Sequence, residues 1–133
     1  MDERLREKSY AYARHLGFEM VDWRDGYSKF QLPLEPHIMN RHGSPHGGSH
    51  ASLLDTVMGF AGCFTGDPDN RQMCWTLSLN VQYLSRPRGE MFIAEGFKTG
   101  GGKSTFFAEG TIKDETGKVI AKGTGTFRYR KSG

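Results

Sequence analysis

Between Asn40 and Asp55 the chain carries Gly47 and Gly48 directly after His46, with Ser49 following, and Asp55 stands nine residues after that histidine. The two glycines fall where a helix is expected to begin. The first turn of a helix presents unpaired N–H groups and a partial positive charge. Such groups stabilise the oxyanion that forms when a carbonyl is attacked, and glycine has no side chain to obstruct an approaching acyl group. Asp55 supplies a carboxylate on a helix that is otherwise largely apolar, where a charge is costly to bury without partners. Two readings of Asp55 stand at this point. It either faces solvent or pairs with a nearby base, or it works as a base or nucleophile.

Distance bears on the second reading. Eight helical residues separate Gly47 from Asp55, about 12 Å at 1.5 Å per residue. A general base works at about 3 Å from the reacting atoms, so Asp55 is too far to serve a carbonyl held at Gly47 of its own chain. An antiparallel helix of a second copy brings the two together. Ala51, Ser52, Gly59 and Gly62 lie on the same face as Asp55 at 100° per residue. Each glycine costs the helix about 1 kcal/mol relative to alanine, and small residues along one stripe let another backbone come close. That stripe fits a second copy of the helix in a homodimer, or close packing on the chain's own strands.

The elements that must position these groups are legible in the pattern. Residues 2–16 predict an amphipathic helix with Leu5, Tyr12 and Leu16 on one side, ended by Gly17. Strands are expected at 18–23 and 27–34, joined through Asp25 and Gly26. Residues 36–48 read as a loop. Residues 49–64 predict a buried helix capped by Ser49, with Leu53, Leu54, Val57, Met58, Phe60 and Ala61 over most of its circumference. Four strands follow at 73–85, 90–99, 104–113 and 118–129, with turn chemistry at Pro87 and Gly89, Gly100 to Gly102, and Asp114 to Gly117. Short turns between them imply an antiparallel meander. Tyr83, Phe92, Phe97, Phe106, Phe107 and Phe127 alternate within strands and read as core. The expected class is α+β, one long central helix wrapped by a single antiparallel sheet of about five to six strands.

Composition narrows the function classes. The 133 residues are 36% hydrophobic and 25% charged, the size and make-up of one soluble domain over 1–133, with the N-terminal helix in 1–16 and the core in 17–130. A net charge of +3 is too mild to argue for nucleic acid, and is compatible with a phosphate-bearing ligand. No apolar run reaches the roughly 20 residues of a membrane span. The charged N-terminus does not read as a signal peptide, so the protein is expected in the cytoplasm. Cys63 and Cys74 fit no metal-ligand spacing and read as packed thiols.

Several motifs are set aside. His42, His46 and His50 recur every fourth residue, but Gly43, Pro45, Gly47 and Gly48 break the helix that would make them one metal-binding face. Gly102, Lys103 and Ser104 end like a phosphate loop, yet Phe97 occupies the position of its first glycine and a strand follows rather than a helix. No glycine-x-serine-x-glycine nucleophile elbow occurs.

The spacing Asn40, Gly43, His46, Gly47, Gly48, Asp55 closely resembles the PaaI-like branch (phenylacetate-degradation-related) of hotdog-fold acyl-CoA thioesterases. The likeness continues in residues 76–87, in Gly102, Lys103 and Ser104, and in residues 117–125. It implies the hotdog fold and hydrolysis of acyl-CoA. By the same resemblance, Gly47 gives the N–H that polarises the thioester carbonyl, and Asn40 and His46 orient the substrate and shape their loop. Asp55 of the neighbouring subunit is general base or nucleophile, and Thr76 positions water or the aspartate. Gly48, Arg86, Arg88, Lys103 and Ser104 are the expected substrate and CoA contacts. The resemblance further implies a dimer or dimer of dimers, no metal, and no cofactor other than the coenzyme A of the substrate. Two alternatives remain open: a hotdog hydratase or dehydratase, whose pattern normally has a proline-rich segment where only Pro45 occurs here, and a non-catalytic acyl-CoA-binding module.

Overall fold

A computed structural model describes residues 1–131; residues 132 and 133, the end of the expected 1–133 domain, lie outside the described residues. The elements are helix α1 (Ala11–Leu16), strands β1 (Glu19–Arg24) and β2 (Tyr27–Pro33), helix α2 (Gly47–Gly62), and strands β3 (Met73–Tyr83), β4 (Met91–Gly101), β5 (Thr105–Asp114) and β6 (Val119–Arg130). All pairings are antiparallel and form one six-stranded sheet in the order β1-β2-β4-β5-β6-β3. Among the described residues no helix is long and apolar enough to cross a membrane.

The sheet wraps α2, and apolar burial is the reason. Leu53, Leu54, Val57 and Met58 are fully buried against Phe92, Phe106, Ile112, Ile120 and Phe127. Each such side chain contributes about 1.5–3 kcal/mol on leaving water. Backbones approach closely where the sequence has glycine in a strand. A Cβ built on Gly96 of β4 would stand 2.3 Å from the Val57 carbonyl oxygen, the same oxygen that accepts a 2.6 Å hydrogen bond from the buried Ser28 hydroxyl. Sheet and helix backbone are therefore locked at that level.

Several expectations change. The second half is not a simple meander. β4, β5 and β6 follow in order, but β2 occupies the place beside β4, so β3 pairs with the free side of β6 and becomes an edge. The expected helix over 2–16 is broken into a 3-10 turn, Glu3–Leu5, an extended arm, and the short α1. Asp2 caps the first turn by accepting from the Arg4 N–H, and Arg6 leaves it in an extended conformation. The arm gains more from the body than from continuing a helix. Arg6 donates to the Met20 carbonyl at 2.6 Å and Arg71 to the Leu5 carbonyl at 2.5 Å. Gly17 closes α1 in the left-handed conformation, φ 100°, as its position suggests. Helix α2 starts two residues earlier than expected, at Gly47. Its cap is His46 rather than Ser49: the ring Nδ1 accepts from the Gly48 N–H at 2.8 Å, and the buried Ser49 hydroxyl donates to the His46 carbonyl. Of the six strand aromatics read as core, Tyr83, Phe97 and Phe107 are exposed: Phe97 and Phe107 alternate with the buried positions of their strands, and Tyr83 lies at the end of β3 over the first turn of α2.

The small-residue stripe also resolves in part. A Cβ on Gly62 would lie 2.1 Å from the Phe106 ring, and one on Gly59 would touch the Cys74 sulfur at 3.6 Å. These two glycines serve the chain's own sheet, the alternative left open above. Gly96→Ala should therefore cost about 3 kcal/mol or more, since helix backbone cannot yield to the added methyl as a side chain could. Urea unfolding of the variant against wild type measures this, and an unchanged midpoint contradicts the close approach.

Candidate active site

The loop before α2 is folded around Asn40. Its Oδ1 accepts from the N–H groups of His42 (2.8 Å) and Ser44 (3.1 Å), and its own N–H donates to the Ser44 carbonyl. Gly43 adopts φ 78°, which closes the turn. The His46 N–H donates to the Ile38 carbonyl, and Met39 bridges Pro45. The result is a rigid entry that fixes the first turn of α2. Tyr83 from β3 donates to the Gly47 carbonyl at 2.6 Å, holding that peptide in place. Among the described residues the Gly47 N–H meets no protein acceptor, whereas the Gly48 N–H is occupied by His46. Of the two glycines, Gly47 keeps a free donor.

Asp55 lies two turns further along α2. Thr76 of β3 donates to its Oδ1 at 2.7 Å. Burial pushes its carboxyl up from the usual value of 3.8, and the Thr76 hydrogen bond opposes that shift. No lysine, arginine or histidine forms a salt bridge with it among the described residues. Asp55 is thus neither solvated freely nor paired with a base. It is a desolvated carboxylate oriented by one hydroxyl. It opens on a cavity of about 370 Å³ whose walls include Gly59, Phe60, Cys63, Cys74, Thr76 and Phe127, with Glu7, Lys8 and Tyr10 of the arm across from them. The neighbouring Cys74 thiol, together with burial, pushes the Cys63 thiol up.

The structure brings some expected residues together and separates others. Asn40, His46, Gly47 and Gly48 form one cluster, and Arg86 joins it by donating to the Ser44 hydroxyl at 2.8 Å. Arg88 lies in the neighbouring turn, whose backbone is held by the buried Asp114. That carboxylate accepts from the Arg88 and Gly89 N–H groups, and from Thr116 and Lys118. The Thr116 hydroxyl, aided by these backbone donors, holds its pKa far below 3.8. Lys103 and Ser104, by contrast, occupy the β4–β5 turn beside Phe106 and hence the Gly62 end of α2, away from Gly47. Thr76 is with Asp55. His50 is buried between Tyr83 and Phe92, and burial lowers its pKa, so it packs as a neutral aromatic. No group of three His, Cys, Asp or Glu side chains suited to a metal ion occurs among the described residues.

Sequence reasoning missed Tyr83, read as core, and the arm residues, read as a helix face. Tyr83 is on β3, and the odd–even alternation of that strand does not reveal a hydroxyl aimed at a helix terminus.

Residues 42–121, which carry Gly47, Asp55 and Thr76, match the family described as the thioesterase superfamily. The chain belongs to that family. Its architecture is the hotdog fold of the PaaI-like thioesterases. A conserved protein of Pseudomonas aeruginosa is 27% identical, with a TM-score of 0.83 over 97% of this chain and 98% of that one. A Bacillus halodurans protein solved with CoA is 29% identical, with a TM-score of 0.80 over 96% of this chain and 83% of that one. The PaaI protein of E. coli, from the phenylacetic acid degradation operon, shares the fold at 20% identity, with a TM-score of 0.79 over 91% and 85% of the two chains.

Within this thioesterase fold the Thr76 hydroxyl stabilises the ionised form of Asp55. Thr76→Val should raise the Asp55 pKa further, so that more of the carboxyl is protonated at a given pH. A carboxyl-carbon NMR titration of the two proteins reads the direction directly, and a shift downward contradicts the assignment.

Proposed function

We propose that the protein hydrolyses acyl-CoA thioesters in active sites shared between two copies of the chain. The observation that carries this reading is the division of labour along α2. The free Gly47 N–H stands at the helix start, and the desolvated, Thr76-oriented Asp55 stands about 12 Å further on. In an antiparallel pair, Gly47 of one protomer polarises the carbonyl and Asp55 of the other activates the attack. Acting as base, Asp55 takes a proton from water as the water oxygen adds to the carbonyl carbon. The tetrahedral oxyanion rests on the Gly47 N–H, the carbon–sulfur bond breaks, and CoA thiolate leaves and is protonated. Acting as nucleophile, Asp55 adds to the carbonyl carbon and expels CoA thiolate, and water opens the resulting acyl anhydride to release the acid and restore the carboxylate. Both routes need only one oxyanion donor and one carboxylate.

Other features support the pairing. β3 is an edge strand, and it exposes Met73, Trp75, Leu77 and Tyr83 to between 45% and 57%. A long apolar edge is a template for another strand, and soluble chains normally cover it. His46 and Asn40 hold the loop that aims Gly47, and Gly48 keeps its approach open. Arg86 and Arg88 lie on the Gly47 side and suit the phosphates of CoA. Lys103 and Ser104 sit at the other end of α2 and would reach the same ligand from the second protomer. The Bacillus halodurans relative solved with CoA agrees with such a ligand.

The shared site has a direct test. Gly47 is the first residue of α2, and His46 before it has φ −63° and ψ 137°, so the backbone accepts proline at 47, which removes the N–H and brings its Cβ into ordinary contact with Tyr83 at 3.4 Å. Gly47→Pro and Asp55→Asn homodimers should each lose about 100-fold or more in kcat. A hybrid of the two, isolated through two different tags, retains one intact site and should recover roughly half of wild-type turnover per dimer. Thiol release from acyl-CoA measures all three, and a hybrid as inactive as its parents rules out sharing.

A further inference from the structure

The arm that replaces the expected helix has a consequence for the substrate, resting on the proposed hydrolytic reading. On α2, Asp55 and Gly59 are four residues apart and lie along one line of the helix, and Cys63 follows four residues on as its C-terminal cap. All three border the 370 Å³ cavity, which therefore extends from the reacting carboxylate toward the C-terminal end of its own helix. The carbonyl would be held by the other protomer, with the CoA sulfur on the side of Arg86 and Arg88. The acyl group then leaves the carbonyl into this chamber, whose walls Phe60, Phe127, Cys63 and Cys74 are apolar. Its size is at the lower end of small-molecule sites, about 300–1,000 Å³.

The outer wall is the arm. Tyr10 is fixed there, at the Asp55 end of the chamber, by a 3.1 Å hydrogen bond between its hydroxyl and that of Thr56, one residue after Asp55. Beside it Glu7 is half-buried and lies 4.0 Å from the Arg71 guanidinium. A charged pair at the end of an apolar chamber disfavours a longer tail, because the tail would desolvate it. Behind the arm lies a larger space of about 720 Å³, lined in part by Phe18, Met20 and Phe30, and Glu7, Lys8, Tyr10 and Phe60 border both spaces. The arm is the partition between them.

We propose that the arm closes the acyl chamber and that the Tyr10 ring sets the length of acyl group the enzyme accepts. Compact, largely apolar acyl groups fit within the partition; longer chains require it to be breached. Tyr10 is a specificity-determining residue and takes no part in bond making. Because its outer face meets solvent, it can be replaced without disturbing the core.

The experiment is a series of straight-chain acyl-CoAs from butanoyl to dodecanoyl, with kcat/KM measured for wild type and three variants. Tyr10→Ala should open the chamber into the second space and raise the dodecanoyl-to-butanoyl ratio at least about tenfold. Tyr10→Trp should lower the ratio. Tyr10→Phe loses the bond to Thr56 but keeps the ring, and should retain the wild-type profile. The same series is read as Kd by calorimetry on Asp55→Asn protein with and without Tyr10→Ala, where no turnover is needed. Hydrolysis with one profile for wild type, Tyr10→Ala and Tyr10→Trp overturns the role of the arm and leaves the hydrolytic reading standing. Length-selective binding that relaxes in Tyr10→Ala, with no hydrolysis by the wild type, upholds the arm and overturns the hydrolytic reading.

Discussion

Eight helical steps separate Gly47 from Asp55, and a continuous helix cannot shorten that distance. Helix α2 is unbroken from Gly47 to Gly62 and is clamped along its length by the sheet. Val57 is held at its carbonyl by Ser28 and abutted by Gly96, and Leu53, Leu54, Val57 and Met58 are fully buried. The helix is therefore a rigid ruler with an anion-stabilising end and a carboxylate further along. Any chemistry that uses both needs a second ruler laid the other way.

The electrostatics follow from the same placement. The Asp55 pKa is raised by burial and tempered by one hydroxyl, and among the described residues no cation forms a salt bridge with it to hold it ionised at low pH. A hydrogen bond to a charged group contributes about 1.5–3 kcal/mol, so the Thr76 hydroxyl is a substantial share of what keeps the carboxylate usable. Asp114 makes the contrast. It is also a carboxylate of low exposure, but the Thr116 hydroxyl and several backbone N–H groups hold it firmly ionised. One aspartate is fully satisfied and organises the turn that carries Arg86 and Arg88. The other is satisfied at a single recognised oxygen and opens on a cavity. That difference separates a structural carboxylate from a candidate catalyst better than burial alone.

Much of this is legible in the sequence. The apolar circumference of α2 gave its burial, the turn residues gave the β1–β2, β4–β5 and β5–β6 hairpins, and the spacing from Gly47 to Asp55 gave the argument for a shared site. What escaped was tertiary. The cap of α2 follows from His46 being held by Ile38, which frees its ring to do what Ser49 was expected to do. The strand order depends on β2 taking the place beside β4, which no local pattern records. Residues 2–16 have a helical pattern, but Leu5 and Arg6 find partners in Arg71 and Met20 that outcompete it. The stripe of small residues was ambiguous for a sound reason. Close approach is all that glycine reports, and Phe106 and Cys74 of the same chain satisfy it at Gly62 and Gly59.

With those glycines packed on the chain's own sheet, β3 is the element whose uncovered face favours pairing. The strand that presents the uncovered apolar edge also holds Thr76, which orients Asp55, and Tyr83, which clamps the Gly47 carbonyl. A register shift between Thr76 and Ser78 on this strand lies next to the aspartate's donor, where a bulge re-aims side chains. Covering β3 with a second copy of itself would therefore stiffen the contacts that hold the first turn of α2 and the Asp55 carboxylate, in both protomers at once. For the proposed shared site, assembly and site organisation would then be one event, and an isolated chain would lack both the geometry and the proposed second half of the residues.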